Sequence, residues 1–235
     1  DEHTKDCPGG KYGRLDSGGI PNGYMEEKAF LSFQEKVPMT SMEELISLMQ
    51  EAQDMYASYG VTTVQDGMVG KPLFQLFKHL AENGLLKLDV VGYADIMTAP
   101  DFKEEEPAYA NQYSGHFKLG GYKIFLDGSP QGRTAWMTSP YEGEKDYCGY
   151  PIHTDQELRR YIELALDKKQ QLLAHCNGDA AAEQYIAQFE GALSERKEKD
   201  LYRAVMIHAQ LVRKDQLQRM ADIGMIPSFF VAHTY

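Results

Sequence analysis

Two alternating patterns of apolar residues run along this chain, one with a period of about 3.6 residues and one of short unbroken runs, and together they predict its elements. "TSMEELISLMQEAQDMYASYG" has Thr40 or Ser41 as an N-cap, Glu43 and Glu44 in the first turn and Gly60 as its stop, the signature of an amphipathic helix. "VTTVQD" follows as a β-branched strand, then a helix from about Pro72 to Glu82 stopping near Gly84, then "LKLDVVGYA" as a strand. "YKIFLDG" is the next strand, and "TDQELRRYIELALDKK" the next helix, with Thr154 as its cap. Leu172, Leu173 and Ala174 make a short buried run that ends on His175, Gly178 breaks it, and an alanine-rich helix begins near Ala180. Ala204 to Ile207 repeat the arrangement, ending at His208 before a helix that starts around Asp215. "MIPSFFVAH" is the last strand-like segment, with Pro227 marking an irregularity.

Six strand candidates alternating with helices predict a parallel α/β sheet, and the polar anomalies all follow strands. The fold class expected is therefore a TIM (β/α)8 barrel, incomplete here, with about six of its eight strands. The 235 residues read as one domain or most of one, without a linker-like block, and residues 1–30 read as turns with a short hairpin at most. A net charge of −11 with scattered basic residues argues against nucleic-acid or anionic-membrane partners. Only Cys7, Cys148 and Cys176 occur, with no CxxC pair, which excludes a disulfide scaffold and a thiolate zinc ribbon and suggests a reducing compartment. No run approaches the roughly 20 apolar residues that span a bilayer, and "DEHTKDCPGG" lacks a signal-peptide core, so a cytoplasmic protein cut from something longer is expected. Neither GxGxxG after the first strands nor GxxxxGK[ST] anywhere is present, which removes the main support for dinucleotide and P-loop readings.

His175 and His208 lie 33 residues apart, about one strand–helix–strand unit. On adjacent parallel strands about 4.8 Å apart, at matching heights, both imidazoles would reach one small volume, which suggests a metal site. Two unrelated structural histidines are the alternative. Lys123 sits inside an apolar run, where an ammonium must snorkel, pair with an acid such as Asp127, lose its proton, or be chemically changed. A neutral buried lysine can add carbon dioxide to become a carbamate able to bridge two metal ions; it can equally form a Schiff base.

"KIFLDGSPQGRTAWMTSPY", "AHCNGDAAAEQYI", "RAVMIHAQ" and "PSFFVAHTY", together with the earlier "GGKYGRLDSGGIPNGYMEE", resemble successive motifs of the amidohydrolase 3 family, which includes N-substituted formamide deformylase-like metal-dependent hydrolases. The resemblance covers nearly the whole chain. It implies a metal-binding barrel over residues 1–235, with 1–38 as a loop-rich insertion before the first barrel helix, hydrolysing an amide-like C–N bond of a small molecule through a metal-activated water. Lys123, His175 and His208 match metal ligands, with Lys123 carboxylated in the intact enzyme. Zinc, one ion or two, is the default for imidazole-rich sites. His208 and His233 are the catalytic candidates. Arg133, Trp136 and Tyr141, on the long segment after the lysine strand, could clamp or cover a substrate together with His233, or form a surface loop whose Trp136 only packs on the barrel rim; Asp179 either orients His175 from behind or caps the following helix. The family's HxH strand and its last-strand aspartate have no counterpart among residues 1–235, so this stretch alone is expected to be inactive. Homo-oligomerisation stays open. A catalytically silent barrel and a Schiff-base lyase using Lys123 are the competing functions.

Overall fold

In a computed structural model, which describes residues 10–14, 19–27, 29–30, 38, 40–197, 200 and 202–231, the glycine-rich opening segment forms an antiparallel hairpin of β1 (Gly10–Arg14) and β2 (Pro21–Glu27). The Lys11 ammonium lies over the Tyr147 and Tyr150 rings at 4.7 and 5.1 Å, and the Tyr150 hydroxyl donates to Glu26. The hairpin thus rests on the long segment between residues 126 and 153.

The rest alternates: α1 (Met42–Ser58), β3 (Thr63–Val69), α2 (Lys71–Glu82), β4 (Asp89–Asp95), the single turn α3 (Phe102–Glu105), β5 (Phe117–Phe125), α4 (Asp155–Asp167), β6 (Gln171–Cys176), α5 (Asp179–Ser194), β7 (Val205–His208), α6 (Lys214–Ile223) and β8 (Ile226–Phe229). Strands β3 to β8 form one six-stranded sheet in chain order, every pair parallel. The sheet curls as a half barrel, an incomplete TIM fold. Among the described residues, no helix is long and apolar enough to cross a membrane.

Local chemistry sets the helix ends. Ser41, rather than Thr40, caps α1 by accepting the Glu44 N–H, and Thr154 and Glu157 close a reciprocal capping box at α4. Gly224 ends α6 at φ +77°, a backbone angle that glycine adopts without strain. The core lies between the convex face of the sheet and the helices. Phe77 stacks on Phe117 at 5.0 Å, Phe102 meets Tyr122 edge-on, and Tyr185 donates to the Leu172 carbonyl from α5.

One irregularity decides what the concave face carries. The register between β4 and β5 steps from Gly92↔Leu119 to Tyr93↔Gly121, so Gly120 is an extra residue, a bulge. Phe117 and Leu119 before it and Tyr122 and Ile124 after it all pack in the core, although 119 and 122 differ by an odd number. The bulge switches the parity of the strand and turns Lys123 to the opposite, concave face. Glycine is required at 121, where φ is +150° and a Cβ would stand 2.2 Å from the Gln171 carbonyl oxygen. β5 accordingly begins at Phe117, five residues before the strand predicted from Tyr122, because the glycine pair erases the two-residue rhythm.

Candidate metal centre

Lys123 is only 5 % exposed, and its Cε reaches across β4 to ordinary contact distance, 3.5 Å, from the place a Gly67 Cβ would occupy on β3. Its Nζ lies 4.1 Å from the centroid of the Phe125 ring and 3.3 Å from the Ile124 carbonyl oxygen. It pairs with no carboxylate of Asp127, which is occupied by backbone N–H groups. Burial pushes the Lys123 amine down from 10.5 to about 7.

His175 comes from β6 and His208 from the adjacent parallel β7. Their register corrects the expectation of matching heights: His175 pairs with Ile207, and His208 with Cys176. Strand alternation alone would send the two imidazoles to opposite faces. His208 escapes because its φ is +74°, followed by Ala209 at +44°, left-handed angles that non-glycine residues take only at a cost of about 1–3 kcal/mol. His208 Nε2 thereby stands 3.1 Å from His175 Nδ1, with the rings edge-on and centroids 4.6 Å apart. On its other side His175 Nε2 is 3.1 Å from the Gly128 carbonyl oxygen. A proton on Nε2 donates there and leaves Nδ1 a lone pair facing His208. Burial, then the nearby Lys123 charge, push the His175 imidazole down to about 3, so it is neutral at any ordinary pH.

The donors fit part of a metal set. Two nitrogens on one tetrahedral ion at about 2.0–2.1 Å stand roughly 3.3 Å apart, close to the 3.1 Å found. A neutral imidazole and a depressed amine need no costly proton loss before binding. Among the described residues, no group of three or more His, Cys, Asp or Glu side chains gathers to hold an ion, so His175, His208 and Lys123 supply a fraction of a full shell.

The other candidates are placed differently. Arg133 turns onto its own loop, pairing with Glu144 at 2.7 Å and donating to the Glu142 carbonyl. Trp136 packs against the edge of the core, and the Tyr141 hydroxyl donates to the Ala135 carbonyl. Asp179 is corrected on both counts. Its carboxylate accepts from the Thr138 N–H and hydroxyl and pairs with Arg213 at 3.1 Å, so it neither touches His175 nor caps α5. The Trp136 carbonyl takes the capping place, accepting from Ala180 and Ala181. His233 lies outside the described residues. Two residues stand beside His175 in roles the sequence did not suggest: Asp127, expected at most as a partner of Lys123, and Asn177, which was not singled out. Asp127 gathers backbone N–H groups, and Asn177 Nδ2 donates to Gly128 while lying 3.1 Å from His175 Nε2. An aspartate at the carboxyl end of the lysine strand, inside "IFLDG", was the available signal.

The chain is similar to several known proteins. YtcJ of Bacillus subtilis (strain 168), named an amidohydrolase, is 31% identical over 106 residues, covering 45% of this chain and 19% of that protein. The exoenzymes regulatory protein AepA of Pectobacterium carotovorum subsp. carotovorum is 24% identical over 227 residues, 94% of this chain and 48% of its own length. A crystal structure of an uncharacterized metal-dependent hydrolase from Pyrococcus horikoshii OT3 superposes with a TM-score of 0.74 at 24% identity, over 92% of this chain and 42% of that one. Its counterpart from Pyrococcus furiosus gives 0.73 at 25% identity, over 86% and 42%. The chain thus spans about half the length, or less, of the relatives it matches. The model of the amidohydrolase family matches residues 1–235, and the chain belongs to that family.

Proposed function

We propose that the protein hydrolyses an amide-like, non-peptide C–N bond of a small molecule with a divalent metal ion, zinc by default, held in part by Lys123, His175 and His208. The observation that carries this reading is the 3.1 Å approach of His175 Nδ1 to His208 Nε2 at the carboxyl end of the sheet, where such barrels keep their chemistry. Residues 1–235 then form part of the barrel domain, with 1–38 inserted before its first helix. When bound, the ion activates water and polarises the substrate carbonyl.

The residues of this chain prepare that chemistry. Neutral His175 offers its Nδ1 lone pair without first losing a proton. Lys123, whose amine burial pushes down to about 7, is in part neutral near neutral pH and can add carbon dioxide: an Nζ–C bond forms, a proton passes to solvent, and the amine becomes a carbamate with two oxygen donors. The Phe125 ring, against both Lys123 Nζ and His175, keeps that side of the site apolar. His208 and His233 remain the residues proposed to face substrate, and Trp136 the one at the rim. Arg133 would have to leave Glu144 to join them.

A regulatory role without catalysis is the second reading, prompted by likeness to AepA along 94% of the chain. The test uses the full-length protein. His175→Ala and His208→Ala should each lose bound metal together with hydrolysis of N-acyl and formamide substrates, and a chelator should abolish an activity that zinc restores. Full metal content and activity in either variant refutes the ligand assignment. Borohydride trapping of a carbonyl substrate on Lys123 favours a Schiff-base lyase instead.

A further inference from the structure

We propose that Asp127 is the positioning residue of this site, holding the Gly128 carbonyl against His175 and so fixing the ring in the tautomer whose Nδ1 faces His208. The inference rests on reading His175 as a ligand. Asp127 is fully buried two residues past the end of β5. Its Oδ1 accepts the Asn177 N–H at 3.0 Å, and its Oδ2 accepts the Gly178 N–H at 2.7 Å and the Trp136 N–H at 2.9 Å. These donors come from two separate segments, the loop after β5 and the turn after β6. One carboxylate therefore clasps the two strand ends together, through charge-assisted bonds that offset its removal from water.

The clasp reaches His175 through its neighbours. Asp127 Oδ1 is 4.0 Å from His175 Nε2, too far for a hydrogen bond. Gly128 follows Asp127 directly, and its carbonyl oxygen lies 2.8 Å from Asn177 Nδ2 and 3.1 Å from His175 Nε2. Nε2 is thus faced by an acceptor, the Gly128 carbonyl, and by a donor, the Asn177 amide at 3.1 Å. With the carbonyl held in place, the ring donates from Nε2 and keeps Nδ1 open. If the carbonyl withdraws, the Asn177 amide donates to Nε2, the ring proton moves to Nδ1, and the nitrogen facing His208 is blocked. The second polar latch nearby, Asp179 with Thr138 and Arg213, binds the same loop but makes no contact with the ring. It provides the control.

The experiment compares wild-type, Asp127→Asn and Asp179→Asn full-length protein, labelled with 15N-histidine and metal-free, by 1H–15N correlation spectra at His175. Titrations with zinc alone follow. The expected result is an Nε2–H tautomer in wild type, a shift toward Nδ1–H in Asp127→Asn, and zinc affinity weakened about 10- to 100-fold. Asp179→Asn should lose thermal stability and leave tautomer and affinity unchanged. A wild-type ring protonated at Nδ1 overturns the proposal, even if Asp127→Asn does not fold. So does an Asp127→Asn protein that is merely less stable, with tautomer and affinity as in wild type. A wild type that binds no zinc, but whose tautomer still responds to Asp127→Asn, supports the clasp and overturns the metal-dependent reading.

Discussion

Lys123 carries a cost that pH should reveal. Its amine titrates near 7 in the folded chain and at 10.5 when exposed. Below pH 7 both states hold the ammonium, and the native state bears the whole penalty of burying it. Between 7 and 10.5 only the unfolded chain keeps the proton, so stability rises with pH by about 1.4 kcal/mol per unit, and above 10.5 the gain stops. In metal-free, carbon dioxide-depleted buffer, Lys123→Met should therefore be the more stable protein near pH 6, by up to about 5 kcal/mol. The difference should vanish by pH 10.5. Urea unfolding of both proteins across this range tests it, and a difference that does not change with pH would mean that the ammonium is not buried. Lys123, His175 and His208 were conspicuous in the sequence because each interrupts an apolar run. The roles of Asp127 and Asn177 were not legible, since their partners are backbone groups of loops that have no periodicity. The left-handed turn at His208 has no signature in residue type, because only the fold demands it.

At the scale of elements, legibility followed local signals at the ends, caps at α1 and α4 and a first-turn proline at α2. α1 and α4 were readable because Ser41 and Thr154 announce them, whereas the start of β5 was hidden by the Gly120–Gly121 bulge. Two substitutions at helix starts should separate these kinds of information. Thr154→Ala removes one half of a capping box and should cost about 1 kcal/mol. Gly178→Ala places a Cβ 1.9 Å from the Trp136 carbonyl oxygen, the group that caps α5, and should cost about 3 kcal/mol or more. Gly178 has ordinary angles, φ −76° and ψ 150°, so its glycine is needed for space and not for backbone freedom. Denaturant midpoints for the two variants check the ranking. Equal losses would mean that the segment around Trp136 yields readily.

For the whole molecule, the alternation of strands and helices made the barrel class legible, and the strand count showed how much of it these residues hold. Among the described residues β3 and β8 are the outer strands of the sheet, and Phe229 at the end of the latter with Phe230 and Val231 after it are 54%, 46% and 73% exposed. Such edges template pairing with other chains. The net charge of −11 opposes association at low ionic strength, and salt screens it. The 235-residue polypeptide should therefore self-associate more strongly at 0.5 M than at 0.05 M sodium chloride, as read by light scattering behind size-exclusion chromatography. A strict monomer under both conditions would contradict this.

The strand order has a kinetic consequence. Because every strand from β3 to β8 lies beside its neighbour in the chain, the sheet can lengthen one strand at a time as the polypeptide leaves the ribosome, each loop closing over a short span. β3, β4 and β5, with the aromatic cluster around Phe117, are complete before residue 126 is made, whereas the two histidines arrive on β6 and β7. An ion held by both imidazoles, as proposed, would therefore bind only after the first half of the sheet has been made, and would act by stabilising it.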